Sequence, residues 1–265
     1  MVTLGCIATP DLAPARFLPL ARAAESAGLD ELWLWEDCFK ESGVAAAGAI
    51  LGATRRLRVG IGILPVPLRN VALTAMELAT LDGMFPGRLV PGIGHGVQDW
   101  MAQIGARPAS PLTLLREHAD ALHGLLHGQR LTVGGRYVTL DDVALDWPPA
   151  APPPVLMAGQ GPRTLRLAGE VADGVVLTGG TTPSGVRDAL ALVEEGRAAA
   201  GRTDAFAVVA FVAVPPGSRA RGAQACADRL RAWAEAGATT IAAIPLDGAP
   251  QEVASWLGQE VRPLL

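Results

Sequence analysis

The sequence predicts an α/β protein folded as a (β/α)8 TIM barrel, with a hairpin excursion before the fifth strand. Short β-rich segments alternate with longer helix-like segments along the chain, which is typical of parallel α/β architecture. Eight strand and helix pairs can be counted, and the length of 265 residues is close to the roughly 250 residues usual for this barrel. Half of the residues are hydrophobic, which is enough for a substantial core. We therefore expect a single domain over residues 1–265.

Each predicted strand is a short apolar run, as in "ELWLWE" and "LRVGIGIL". In chain order, the predicted strands are 2–8, 31–36, 57–64, 88–94, 154–158, 174–178, 205–214 and 238–244. Apolar residues at helical spacing follow each run; in the first helix they are Leu18, Ala21 and Ala24, before a stop at Gly28. The predicted helices are 14–28, 43–54, 70–84, 112–127, 162–172, 183–200, 218–236 and 249–260.

One segment interrupts this alternation. Residues 129–153 alternate like a β-hairpin around Gly134 and Gly135 and then run into prolines. We interpret the segment as an excursion at the barrel rim, between the fourth helix and the fifth strand. Together with residues 97–111, it is also where we expect the loops that select the substrate.

Composition argues against several classes of function. The formal net charge is -4 at pH 7 and the arginines are spread along the chain, so we expect no nucleic acid partner. No run approaches the roughly 18 uninterrupted apolar residues of a membrane span, and the N-terminus does not have the pattern of a signal peptide. The three cysteines lie far apart without a CxxC spacing, which predicts neither a disulfide framework nor a zinc site. We expect a cytoplasmic protein without a membrane or metal partner.

Barrel enzymes place their active sites at the C-terminal ends of the strands, so the residues that close each strand are candidates. Glu36 and Asp37 close the second strand. Adjacent carboxylates at a barrel mouth are suited to proton transfer, because burial and mutual repulsion raise the pKa of at least one of them. The alternative is a charged loop start, with Asp37 capping the next helix. Both interpretations stay open from the residues alone.

Small residues mark the ends of the third and fourth strands. The two glycines of "GIGIL" at 60–64 permit an unusual peptide geometry or the close approach of a flat ligand, and simple barrel packing is the alternative. In "GIGHG", His95 lies between two glycines and is accessible from the barrel axis, although a lone histidine is more often structural.

The segment "MAGQGPRTLRLAG", residues 157–169, follows the fifth strand. Gly159 and Gly161 expose backbone amides, Pro162 fits the first helical position, and Thr164 offers a hydroxyl in the first turn. Such a helix start favours an anion, and Arg163 adds positive charge. The dinucleotide motif GxGxxG lacks its third glycine, so we predict a phosphate site of another kind rather than a Rossmann site.

Taken in this order, the motifs resemble the bacterial luciferase-like superfamily of flavin and deazaflavin oxidoreductases. The residues that carry the resemblance are "LWLWED", "GIGILPVPLRNVALTAMELATLDGMFPGRLVPGIGHG", "YVTLDDVALDWPP" and "PPVLMAGQGPRTLRLAGEVADGVVLTGG". The match covers roughly residues 1 to 200. Beyond residue 200 only the strand and helix rhythm agrees.

The resemblance implies a cofactor across the C-terminal mouth of the barrel, coenzyme F420 or, alternatively, FMN. In the family, a non-prolyl cis peptide after the third strand supports the cofactor ring, and Gly62 and Ile63 match that place. The residues that the resemblance assigns to cofactor binding are Gly62, Ile63, Leu64, His95, Gly96, Ala158, Gly159, Gln160, Gly161, Pro162, Thr164, Thr178 and Gly179. It also implies a homodimer, for which "VAAAGAILGAT" is the most apolar candidate face.

One position departs from the family. Deazaflavin-dependent members often carry a histidine directly after the acidic residue of the second strand, where this sequence has Asp37. Glu36 or Asp37 is therefore the predicted catalytic residue.

The leading hypothesis is an oxidoreductase that transfers hydride between a small organic substrate and coenzyme F420. The alternatives are an FMN-dependent luciferase-like monooxygenase and a catalytically silent flavin-binding barrel. A phosphate-binding lyase or isomerase is weaker, since it needs a base or a Schiff-base lysine at a strand end and the one lysine, Lys40, lies past strand two. The sequence does not identify the substrate.

Overall fold

A computed structural model describes residues 2–265. Eight parallel strands close into a barrel in the order β1-β2-β3-β4-β7-β8-β9-β10. Their bounds are β1 Thr3–Ala8, β2 Glu31–Leu34, β3 Arg58–Pro65, β4 Leu89–Gly94, β7 Leu156–Ala158, β8 Gly174–Leu177, β9 Ala207–Val214 and β10 Thr240–Pro245. A separate antiparallel hairpin is formed by β5, Leu131–Gly134, and β6, Thr139–Val143. The predicted fold is confirmed, including the hairpin before the fifth barrel strand.

The helices cover the outside of the barrel. They are α1 Phe17–Ser26, α2 Gly43–Ala53, α3 Val71–Met84, α4 Gln98–Gln103, α5 Pro111–Leu126, α6 Pro162–Val171, α7 Pro183–Ala199, α8 Ser218–Arg221, α9 Ala223–Glu235 and α10 Pro250–Trp256. The predicted helix 218–236 is divided into α8 and α9, because Gly222 adopts a φ of 93° that ends one helix before the next begins. The short helix α4 was not predicted. No helix within residues 2–265 is long and apolar enough to cross a membrane.

Two apolar clusters form the core. The larger one lies between the strands and the helices, and the smaller one fills the inside of the barrel. Its buried members are Ile7, Trp33, Val90, Leu156, Val176, Val209, Phe211, Ala242 and Ile244. Strand β3 adds no large side chain to this inner cluster, since it presents glycine at 60 and 62.

These two glycines make room for aromatic rings. A Cβ atom on Gly60 would lie 2.3 Å from the Trp33 ring, and one on Gly62 would lie 2.6 Å from the Phe211 ring. Contacts this short do not occur between real atoms, so either side chain would displace the rings. Barrel packing therefore accounts for the glycines of β3.

The hairpin packs on the outer face of α5. The Glu117 carboxylate accepts hydrogen bonds from the backbone N–H groups of residues 136–138, and Tyr137 places its hydroxyl 2.7 Å from the Ser110 nitrogen. Side chains of both strands, such as Leu131 of β5 and Val143 of β6, contact the large core cluster. The excursion is thus attached to a helix and not to the barrel opening.

Candidate active site

A cavity of about 550 Å³ lies at the C-terminal mouth of the barrel. The ends of five barrel strands reach it from β2, β3, β4, β7 and β8, and β9 supplies part of its floor. The predicted site residues that line it are Glu36, Asp37, Gly62, Ile63, His95, Gly96, Ala158, Gly159, Gln160, Thr178 and Gly179. The strand-end rule thus brings together residues that are more than 140 positions apart in the chain.

Four predicted residues lie outside the cavity lining. Leu64 is buried on the helix side of β3, where it packs near Gly43, because neighbouring strand residues face opposite sides. Gly161 and Pro162 are exposed at the start of α6, and Thr164 is buried behind His95.

The floor of the cavity is aromatic. The rings of Trp35 and Phe211 stack with centroids 5.8 Å apart and an interplanar angle of 26°, and Trp33 meets Phe211 edge-on at 5.7 Å. Such pairs add to the stability gained from burial. The peptide bond between Gly62 and Ile63 is cis, and the register between β3 and β4 shifts between Ile61 and Leu64. A second non-prolyl cis bond joins Cys38 to Phe39.

Glu36 is held by a bidentate ion pair. Its Oε2 lies 2.6 Å from Nη1 of Arg69 and its Oε1 lies 2.9 Å from Nη2 of the same guanidinium. Oε1 also accepts from the Gly43 backbone N–H at 3.1 Å, and Nε of Arg69 lies 3.2 Å from Oε2 of Glu77. The side chains of Glu36 and Arg69 are only 7% and 12% exposed. This network fixes the segment after β2 against α2 and α3.

Asp37 lies at the same end of β2 and is half-buried. Its carboxylate makes no hydrogen bond within residues 2–265. Burial raises the pKa of this carboxyl above its usual value, Lys40 opposes the shift, and Asp11 adds to it. The carboxyl therefore takes up a proton at a higher pH than an exposed aspartate does.

His95 connects the end of β4 with the start of α6. Its Nε2 lies 3.0 Å from the Thr164 hydroxyl, whereas Nδ1 is buried without a hydrogen-bond partner in the described chain. Burial lowers the pKa of His95, and the nearby Pro111 carbonyl opposes the shift without a hydrogen bond of normal geometry. The imidazole is therefore uncharged near neutral pH.

The N-terminus of α6 faces the cavity beside β7. Gly161 is its N-cap residue, no side chain caps the helix, and Pro162 occupies the first turn. A Cβ atom on Gly161 would meet nothing within 4 Å, whereas one on Gly159 would lie 2.4 Å from Thr164. Gln160 reaches across to the Thr178 hydroxyl. The arrangement leaves open space at a positive helix end, where an anion can bind.

A second cavity of about 500 Å³ adjoins the first, with which it shares Gly159, Gln160 and Gly179. It extends to the start of α7, and Asp188 is the one charged side chain in its lining. A ligand in the main cavity can therefore continue toward α7.

Several lining residues were not predicted. They are Trp35, Pro65, Gly94, Val97, Trp100 and Phe211. Val97 and Trp100 belong to the segment 97–111, as expected for a substrate loop, but no residue of 129–153 lines the cavity. That part of the loop prediction is wrong, because the hairpin is attached to the outside of α5. The alternation of β9 turns residues 209 and 211 inward, but it does not show which of them reaches the cavity.

Comparison with known proteins identifies a family and relatives that are similar to this chain in sequence. A family model described as luciferase-like monooxygenase matches residues 2–260. The chain is 29% identical over 202 residues to a 5,10-methylenetetrahydromethanopterin reductase of Methanolobus tindarius, an alignment covering 76% of this chain and 61% of that protein. It is 32% identical over 189 residues to an F420-dependent glucose-6-phosphate dehydrogenase of Nakamurella multipartita, covering 67% of this chain and 56% of that protein. The chain thus spans about three fifths of the length of these relatives.

The fold is shared with solved structures. An F420-dependent secondary alcohol dehydrogenase in complex with an F420-acetone adduct superposes with a TM-score of 0.89 at 20% identity, over 100% of this chain and 99% of that one. At this identity the likeness concerns the fold.

Proposed function

Because the chain belongs to the luciferase-like monooxygenase family, we propose that it is an oxidoreductase that transfers hydride between a small organic substrate and coenzyme F420. The observation that carries the proposal is the pairing of an aromatic-floored cavity with an uncapped helix N-terminus at its edge. A cofactor with a flat ring and a phosphate-bearing chain needs an apolar cavity for the ring and an anion site for the phosphate. The name of one relative, the F420-dependent glucose-6-phosphate dehydrogenase, supports F420 over FMN.

The residues at the mouth fit such a cofactor. Gly62, Ile63 and Gly94 offer a wall without polar side chains, against which a ring system can lie. The phosphate would be held by Gly159, Gln160, Gly161, Pro162, Thr164, Thr178 and Gly179, near the Arg163 N–H at the start of α6, since the N–H groups of Thr164 and Leu165 are bonded to the Gly161 carbonyl. The open space at Gly161 is what such a group requires.

When bound, the deazaflavin supplies a ring carbon that gives or accepts hydride. The chain's own residues then have three tasks. Asp37 donates or accepts the proton at the substrate oxygen, which its raised pKa and free carboxyl permit. Glu36 positions Asp37, because both of its oxygens are already engaged by Arg69. Trp35, Trp100 and Phe211 exclude water from the reacting atoms.

Binding titrations with F420 and with FMN test the proposal. We expect saturable binding of F420, and loss of it in Gly161→Glu, because a carboxylate placed at this helix start repels the phosphate. The matched control is Gly134→Glu, which adds the same side chain in open space on the distant hairpin and should bind normally. Unchanged affinity in Gly161→Glu, with a normal unfolding transition, would remove the phosphate assignment. Oxygen consumption with reduced FMN and none with reduced F420 would favour a monooxygenase instead.

We further infer a homodimer through α2 and α3. Helix α2 is apolar on all sides, and α3 exposes the large side chains of Leu73, Met76 and Met84. Sedimentation of Met76→Glu should give a monomer, whereas Leu264→Glu, a change at the exposed C-terminus, should sediment like the wild type. A monomeric wild type at micromolar concentration would contradict this inference.

A further inference from the structure

The wall of the main cavity is mostly apolar. Its large hydrophobic side chains are Trp35, Ile63, Pro65, Val97, Trp100 and Phe211. The remaining wall is largely glycine and backbone. Ligands that bury apolar surface against this wall gain free energy in proportion to the area removed from water.

The charges in the wall are all acidic. Among residues 2–265, no lysine or arginine lines the cavity, and the charged side chains that do are Glu36 and Asp37. Two cations near the acidic pair are directed elsewhere, since Arg69 pairs with Glu36 and Lys40 pairs with Asp11, and Arg163 lies in the first turn of α6, at the proposed phosphate position. His95 adds no compensating charge, because burial lowers its pKa. With the start of α6 occupied by the cofactor phosphate, an anionic substrate would therefore have no partner for its charge in the rest of this cavity.

Few polar side chains in the wall are free to bind a substrate. Gln160 and Thr178 hydrogen bond to each other, and His95 is bonded to Thr164 through Nε2. The carboxyl of Asp37 has no partner, and Nε1 of Trp35 and Nδ1 of His95 are buried without one. A substrate with one oxygen function would match this small set of groups.

We infer that the substrate is an uncharged, largely apolar alcohol or the corresponding ketone, and that phosphorylated and carboxylated compounds are excluded. The inference rests on the proposed function and specifies its substrate class. In the oxidation direction, the alcohol carbon would give a hydride to a bound deazaflavin, and the hydroxyl would give its proton to Asp37 as the carbonyl forms. The reverse steps reduce the ketone.

Two ligands that differ by one charge test the selectivity. Cyclohexanone and 4-oxocyclohexanecarboxylate share a ring and a carbonyl, and the second adds a carboxylate. Binding to the F420-loaded protein can be followed by tryptophan fluorescence, since Trp35 and Trp100 line the cavity. We expect the ketone to bind about tenfold or more tightly than the keto acid, because an unpaired carboxylate is costly to bury beside Asp37.

A variant that adds a positive charge tests whether the acidic wall causes the preference for the uncharged ketone. Val97→Arg places a guanidinium at the cavity wall and should reduce or invert the preference. The control Ile104→Arg adds the same charge at an exposed position that does not line the cavity, and should leave the preference unchanged. Equal binding of the two ligands by the wild type, binding of neither at millimolar concentration, or an equal response of the two variants would overturn the inference.

The outcomes separate this inference from the proposed function. Selective binding of the ketone without hydride transfer to or from F420 would support the cavity's selectivity and remove the oxidoreductase proposal. Turnover of F420 with glucose 6-phosphate or another anion, and not with cyclohexanone or cyclohexanol, would support the oxidoreductase and overturn the substrate class.

Discussion

The guanidinium of Arg69 and the carboxylate of Glu36 form a two-point ion pair, with N–O distances of 2.6 and 2.9 Å, at the edge of the barrel mouth. The two residues belong to different strand-to-helix connections. The pair ties the connection that carries Asp37 to the turn before α3, so the position of the proposed proton-transfer group depends on a contact outside its own loop.

Removal of Arg69 should destabilise the fold. Arg69→Ala leaves the buried Glu36 carboxylate without its cation, and we expect a loss of about 3–5 kcal/mol in the free energy of unfolding. Urea denaturation measures the loss. Arg116→Ala, which breaks the more exposed pair with Glu170, should cost about 0–1 kcal/mol. Equal losses of stability in the two variants would show that the buried ion pair contributes no more than the exposed one.

Stability should fall in acid because of His118. This side chain is buried on α5, and burial, with a smaller effect of Arg69, lowers its pKa from 6.5 to about 4. Between these two pH values the unfolded chain binds a proton that the folded chain does not, so stability rises with pH across this window. The full effect is about 3 kcal/mol.

Denaturation of wild type and of His118→Gln at pH values from 4 to 7 tests this expectation. The variant should lose most of the pH dependence in that window. His127→Gln, which changes an exposed histidine at the C-terminal end of the same helix, should retain it. A wild-type slope in His118→Gln would assign the acid sensitivity to other groups.

Asp37 should set the acidic limb of the rate profile. Only its ionised form accepts a proton, and burial raises its pKa above the ordinary 3.8, so kcat/KM for alcohol oxidation should decrease as pH falls through this raised pKa. Asp37→Asn should be slow at every pH and should lack this limb, with F420 affinity preserved. A variant that keeps the limb would transfer the proton role to another group.

Gly60 and Gly83 should respond to alanine with opposite signs. In Gly60→Ala the new methyl group meets the Trp33 ring, which should cost about 1–3 kcal/mol. Gly83 lies in α3 with nothing within 4 Å, so Gly83→Ala should stabilise by about 0.5–1 kcal/mol through the lower entropy of the unfolded chain. Thermal unfolding of the two variants in parallel decides the matter; a neutral Gly60→Ala would mean that the Trp33 ring can move aside.

The hydroxyl group of Thr164, and not the volume of its side chain, should determine its effect on F420 affinity. Thr164→Val removes the partner of His95 Nε2 at nearly constant volume, and we expect F420 affinity to weaken by about 1 kcal/mol. Thr164→Ser keeps the hydroxyl and should bind within twofold of wild type, as measured in the same titration. If both variants bind alike, the His95 contact is unimportant for the cofactor.

The barrel could be predicted because its signals are local: each strand is a short apolar run and each helix has its own periodicity. The place of the site followed from the rule that strand ends meet at one face. Arg69 could not be found in this way, because the segment "PVPLRN" carries no sign of the carboxylate that it meets 33 residues away. Trp35 and Phe211 were missed for a different reason, since an apolar residue in a strand looks the same whether it fills the core or floors a cavity.

The inward-facing glycines of β3 leave space inside the barrel that side chains from other strands fill. The volume that β3 gives up is occupied by Trp33 and Phe211, and Phe211 belongs to β9, which lies across the barrel from β3. Shortening the side chain at position 211 would deepen the chamber without changing β3, the start of α6 or the connection after β2. The depth of this cavity is therefore set in part by one side chain of β9, and it can change while the backbone of β3 stays the same.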